Sequence, residues 1–121
     1  MDEKRKLLYW ESSSKKDFKA FPLSVQKDMG VALFIVQLGG VPNSAKPWKG
    51  LGSGVYELVA DYRGDTFRAV YMVRLSDAVH MLHAFQKKSK TGIATPQPDV
   101  ELVEARLKAV LARHATNRRR R

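Results

Sequence analysis

The chain has 121 residues, an ordinary apolar content, no cysteine, and 22 Lys/Arg against 12 Asp/Glu, a formal net charge of +10. That length supports one modest core. The missing cysteines exclude disulfides and thiolate metal sites, and the charge favours polyanionic or acidic partners. Eighteen basic residues against twelve acidic ones remain when Arg118 to Arg121 are set aside. The body is therefore basic as well as the tail.

"KLLYW", Lys6 to Trp10, reads as a short strand. In "SSSKKDFKAFP", Ser14 suits the N-cap of a helical turn and Pro22 the first turn of the next helix. Val25, Met29, Leu33 and Val36 then recur at helical spacing until Gly39–Gly40 ends the run. This predicts either two helices in tandem or one bent at Pro22. "VPNSAKPWKGLGSG" reads as a loop. Three strand-like runs follow, "VYELVADY", "TFRAVYMVRL" and "AVHMLHAFQ", joined by the turn signals "RGD" and "SD". Short turns between β-rich runs predict an antiparallel meander. After "KKSKTGIATPQP" comes a last helix, with Asp99 as its cap and Val100, Val103, Leu107 and Val110 as its apolar stripe. The order β-α-α-β-β-β-α predicts an α+β fold with the N-terminal helices and the C-terminal helix packed on one sheet face. One domain over residues 1–116 is expected, with a disordered basic tail at 117–121. The N-terminus has no long apolar run, so neither signal peptide nor membrane span is expected, and a cytoplasmic location follows from that expectation.

Strand alternation puts Phe67, Ala69, Tyr71, Val73 and Leu75 on one face of the middle strand, the better core face. Thr66, Arg68, Val70, Met72 and Arg74 share the other. An arginine amid apolar neighbours needs a partner. Taken alone, Arg68 is more often half of a structural ion pair, here with Glu57 or Asp61 on the neighbouring strand. Lysines at a strand end commonly just face solvent and deter edge pairing. In a meander, however, the start of the middle strand lies beside the end of the next. Arg68 should therefore meet Lys87 and Lys88 at one sheet end, and converging cations suit a phosphate.

"GDTFRAVYMVRLSDAVHMLHAFQKKSKTGIATP" resembles the core of the phage-derived, HigB-like branch of the RelE/ParE toxin superfamily. The resemblance spans about residues 6 to 112. It implies a RelE-like fold and the toxin of a type II toxin–antitoxin system. A typical member cuts mRNA on the translating ribosome and is held by a small helix-turn-helix antitoxin. It also implies roles for Arg68 at the scissile phosphate, for Lys87 and Lys88 in the transition state, and for Lys90 as a further basic contact. Two departures stand out. The first meander strand, "YELVADY", lacks the lysines of RelE-like nucleases, and "KTGIATP" lacks a tyrosine that some members use.

Metal-free RNA cleavage needs a base for the ribose 2′-OH, cations for the phosphorane and an acid for the 5′-oxygen. Lys87 and His83 are the candidates for proton transfer. His83 has opposite strand parity to Lys88, which equally suits a histidine packed in the core or under a helix. Lys46, Lys49 and Arg74 are candidate RNA contacts, with a solvated loop as the plain alternative for the two lysines. No metal-spaced His/Asp/Glu set is present, and no cofactor is expected. "GLGSG" lacks the lysine and following helix of a P-loop. The leading expectation is a ribosome-dependent mRNA endoribonuclease. The alternatives are a ParE-type toxin acting on DNA gyrase without nuclease chemistry, or a degenerate member that only binds antitoxin or nucleic acid.

Overall fold

The structure, a computed structural model, describes residues 5–87 and 95–119. Strand β1 spans Leu7–Trp10, helix α1 Ser14–Lys19, helix α2 Leu23–Gln37, strand β2 Ala45–Pro47, β3 Val55–Tyr62, β4 Asp65–Met72, β5 Ala78–Lys87, and helix α3 Gln97–Arg119. The strands form one sheet in the order β1-β5-β4-β3-β2. The meander β3-β4-β5 is antiparallel throughout, and β1 joins its far edge parallel to β5.

Local chemistry sets the boundaries. The β3–β4 hairpin closes through Arg63 and Gly64, both at positive φ (52° and 85°). Tyr62 and Asp65 are the last paired residues, so this is a two-residue turn of the type whose twist matches the strands. Helix α2 ends in a Schellman motif. Gly39 N–H donates to Val36 O at 2.9 Å and Gly40 N–H to Ile35 O at 3.0 Å, with Gly39 at φ 96°. The two N-terminal helices are separate and meet at Pro22, the residue before α2. Ser14 is not the cap of α1. It is the first helical residue, fully buried, and its hydroxyl donates to Met81 O at 3.1 Å, tying α1 to β5. Ser13 is the cap position instead. Asp99 likewise lies inside α3 rather than before it.

The α+β class and element order are as the sequence predicts, with β2 added inside the predicted loop. The helices, however, do not share a face. Phe18, Phe21, Val25, Met29 and Leu33 of the α1–α2 segment pack on Leu58, Phe67, Ala69 and Tyr71. Val103, Leu107 and Val110 of α3 pack on Val55, Val70, Met72 and Phe85, which point the other way. The apolar positions of the Arg68 face are thus a second core. Val70 and Met72 are completely buried. Each large apolar side chain buried this way contributes about 1.5–3 kcal/mol. The alternation is offset by an irregularity at Val70/Tyr71, where Leu82 is passed over in the β4–β5 register.

Candidate functional site

The α3-bearing face has an end where Thr66 of β4 pairs with Lys87 of β5. Strand alternation puts Arg68, Thr66, Phe85 and Lys87 on this face, together with Glu57, Val59 and Asp61 of β3. The predicted meeting of Arg68 and Lys87 at one sheet end follows from this register. Lys88 and Lys90 lie outside the described residues.

The electrostatics differ from a bare cluster of cations. Arg68 Nη1 donates to Glu57 Oε1 at 2.7 Å, and both side chains are mostly buried. The ion-pair alternative for Arg68 is therefore the arrangement present, with Glu57 rather than Asp61 as partner. Asp61 Oδ1 accepts from Thr66 Oγ1 at 2.9 Å. Arg68 Nε is buried and has no hydrogen-bond partner among the described residues. A buried donor left unsatisfied costs about 1–3 kcal/mol. Lys87 is itself buried, at 6 % exposure. Lysine is seldom buried to this degree, so its ammonium is held within the protein surface rather than extended into water.

The remaining candidates divide. Lys46 of β2 is the cross-strand neighbour of Glu57 and is exposed, so it borders the site. Lys49 is exposed just beyond β2. Arg74 is at the opposite end of β4. Its Nε donates to Ser53 O at 2.6 Å and its Nη2 to Leu51 O. A Cβ on Gly52 or Gly54, both at positive φ, would meet the Arg74 side chain at 2.8 Å, so the glycines let this loop close over it. Arg74 is a loop clamp, remote from Arg68. His83 is on the Arg68 face, but its Nε2 meets Asp99 Oδ1 at 2.7 Å and its ring stacks on Phe85 at 4.9 Å. It is the helix-packed histidine that its parity allowed, fastening the start of α3 to β5.

A family model described as phage-derived protein Gp49-like (DUF891) matches residues 16–108 of this sequence. The chain belongs to this Gp49-like family. The match takes in α1 through most of α3, and so every strand of the meander. Among solved structures, the Gp49-like chain is similar to one in the toxin–antitoxin complex RelBE2 of Mycobacterium tuberculosis, with 16% identity and a TM-score of 0.45, covering 69% of this chain and 92% of that chain. No curated protein matches the sequence significantly. Glu57 is the residue whose place in the site the sequence reading undervalued. Its signal was present as a carboxylate within reach of Arg68, on the meander strand that lacks the lysines of RelE-like nucleases.

Proposed function

We propose that this chain is the toxin of a type II toxin–antitoxin pair and that it cleaves mRNA on the ribosome. The observation that carries the reading is the Arg68–Glu57–Lys87 face at one sheet end of a Gp49-like chain. In this scheme the ribose 2′-oxygen attacks the adjacent phosphorus and its proton passes to the Glu57 carboxylate. Arg68, bonded to Glu57 through Nη1, offers its remaining donors to a phosphate oxygen and balances the phosphorane charge. Lys87 protonates the departing 5′-oxygen, leaving a 2′,3′-cyclic phosphate and a 5′-hydroxyl. Glu57 then fills the base role for which RelE-like enzymes use lysine. Lys46 at its border, with Lys49 further along, extends the contact to RNA.

An antitoxin partner is supported by a second surface. Val31, Phe34 and Ile35 of α2 and Leu38 at its C-cap are exposed at spacings of three and four, a continuous apolar stripe on the side turned from the core. We propose that the antitoxin covers it, a helix-turn-helix protein by the resemblance. Phe34→Asp should weaken co-purification with the product of the adjacent gene by at least about tenfold.

The test of activity is induction of the protein with separate pulse-labelling of protein and DNA synthesis. Translation is expected to stop first, with 2′,3′-cyclic ends appearing on mRNA. A first fall in DNA synthesis would select the gyrase reading. Purified protein that cuts no RNA with or without ribosomes, while still binding its partner, would select the binding-only reading.

A further inference from the structure

At the sheet end opposite Lys87, β1 and β5 meet the last turns of α3 around an open cleft of about 870 Å³. Its floor is a polar array that joins three elements. Glu11 Oε2 lies 2.8 Å from His80 Nδ1, and Glu11 Oε1 accepts from Arg113 Nη2 at 2.7 Å. The Tyr9 ring stacks on the His80 imidazole at 5.3 Å. Burial raises the Glu11 carboxyl, but the hydrogen bonds and charges of His80 and Arg113 outweigh it and hold Glu11 below the usual carboxylate range. Glu11 is therefore the ionised acceptor. Its Oε2 accepts from His80 Nδ1, so Nε2 is the edge left toward a ligand, and Nε2 makes no hydrogen bond among the described residues.

A purely structural tie would need only Glu11 and its two partners. The cleft has more. His114 and Arg118 also line it, and neither has an ion pair or hydrogen bond among the described residues. Arg113 is 57% exposed, so its guanidinium is open to the cleft beyond the edge that meets Glu11. Arg74 and Asp77 complete the charged lining. Three arginines against two carboxylates leave the cleft with one net positive charge when both histidines are neutral, and three when both are protonated. Arg74 is engaged with loop carbonyls and Glu11 with His80 and Arg113. The groups left to face a ligand are then Arg113, Arg118, His114 and the free edge of His80, with Asp77 as the remaining carboxylate. The volume lies within the range of small-ligand sites, about 300–1,000 Å³.

We infer that this cleft is a phosphate-binding site, separate from the Arg68 face, that takes the phosphate of a nucleotide or of an RNA strand. Arg118 and Arg113 supply the charge, and His80, beside the Tyr9 ring, lends its Nε2 edge, which donates to a phosphate oxygen when both ring nitrogens carry a proton. This reading stands whether or not the chain cleaves RNA. The test titrates the full-length protein with inorganic phosphate, adenosine 5′-monophosphate and an RNA hexamer, following the imidazole signals of His80 by NMR. All three probes are expected to move those signals. Measured by calorimetry, Arg118→Gln, on the exposed side of α3, should weaken binding about fivefold or more, as should His80→Asn, whose amide keeps the bond to Glu11 but lacks the second ring nitrogen. A hexamer bound more than about tenfold tighter than the monophosphate identifies a strand as the ligand, and equal affinity identifies a mononucleotide. The inference is overturned if no probe moves the His80 signals, or if both variants bind the monophosphate like the parent chain.

Discussion

At either end of the sheet a carboxylate holds an arginine at 2.7 Å, yet the two arrangements are built differently. Glu57 and Arg68 are 11 residues apart on neighbouring strands of one hairpin, whereas Glu11 reaches His80 across 69 positions and Arg113 across 102. The hairpin pair forms wherever β3 and β4 pair in register. The distal array forms only when β1, β5 and α3 are all docked. A local pair can be spent on chemistry with modest consequences for the fold. A long-range array is part of what closes the fold, and whatever it binds comes in addition.

The sharpest way to break this comparison is Arg68→Ala. Cleavage per folded molecule should drop about 100-fold or more, the usual loss for one transition-state cation. Stability should also fall, by about 1–3 kcal/mol, because Glu57 stays mostly buried without its partner. The double variant Arg68→Ala/Glu57→Gln should recover stability but not activity, as read by urea denaturation and ribosome-dependent cleavage on the same preparation. Parental cleavage in folded Arg68→Ala would remove this end of the sheet from the mechanism.

At the other end the balance reverses. Glu11→Gln should cost about 1–3 kcal/mol in urea denaturation while cleavage per folded molecule stays within about twofold. The range is kept low because Arg113 is more than half exposed and solvent screens its share of the interaction. A loss of cleavage matching that of Arg68→Ala would mean that the two ends work as one site.

A smaller effect follows from acid. Glu11 is held below its ordinary range in the folded chain, so the unfolded chain binds its proton first. Its contribution is complete above the ordinary carboxylate pKa and is lost as pH falls through the lowered folded value. The stability gap between the parent chain and Glu11→Gln should therefore be full at neutral pH and close below roughly pH 4. A gap that stays open well below that pH would rule out the ionised Glu11 carboxylate as its source. The least effect is expected at the border of the hairpin end. Lys46→Gln should change stability by less than about 0.5 kcal/mol and weaken RNA binding by less than about threefold, measured as a shallower salt dependence.

Much of the hairpin end was legible in the sequence because the code there is local. "RGD" specified a tight turn, alternation specified which residues share the Arg68 face, and Glu57 was one of two carboxylates within reach of Arg68. The choice between them was not legible. It depends on register, which makes Glu57 the neighbour of Val70 and Asp61 that of Thr66. Asp99 shows the opposite failure. Its place before an apolar stripe fits a cap, but α3 starts two residues earlier and the carboxylate is taken by His83, 16 residues upstream.

Periodicity and turn chemistry in the sequence alone determined the meander, the helical character on both sides of Pro22, the end of α2 at Gly39–Gly40 and the apolar stripe of α3. These depend on contacts within a few residues or on neighbouring strands, where the periods of 3.6 and 2 act directly. Tertiary structure alone decided that α3 crosses to the opposite face from α1 and α2, because an apolar stripe fits either face until the other is occupied. It also decided that β1 joins β5 in parallel, which no turn encodes. The Glu11–His80–Arg113 array is a product of those two choices: a carboxylate, an imidazole and a guanidinium with no sequence spacing in common meet only where the first strand and the last helix close on the same edge.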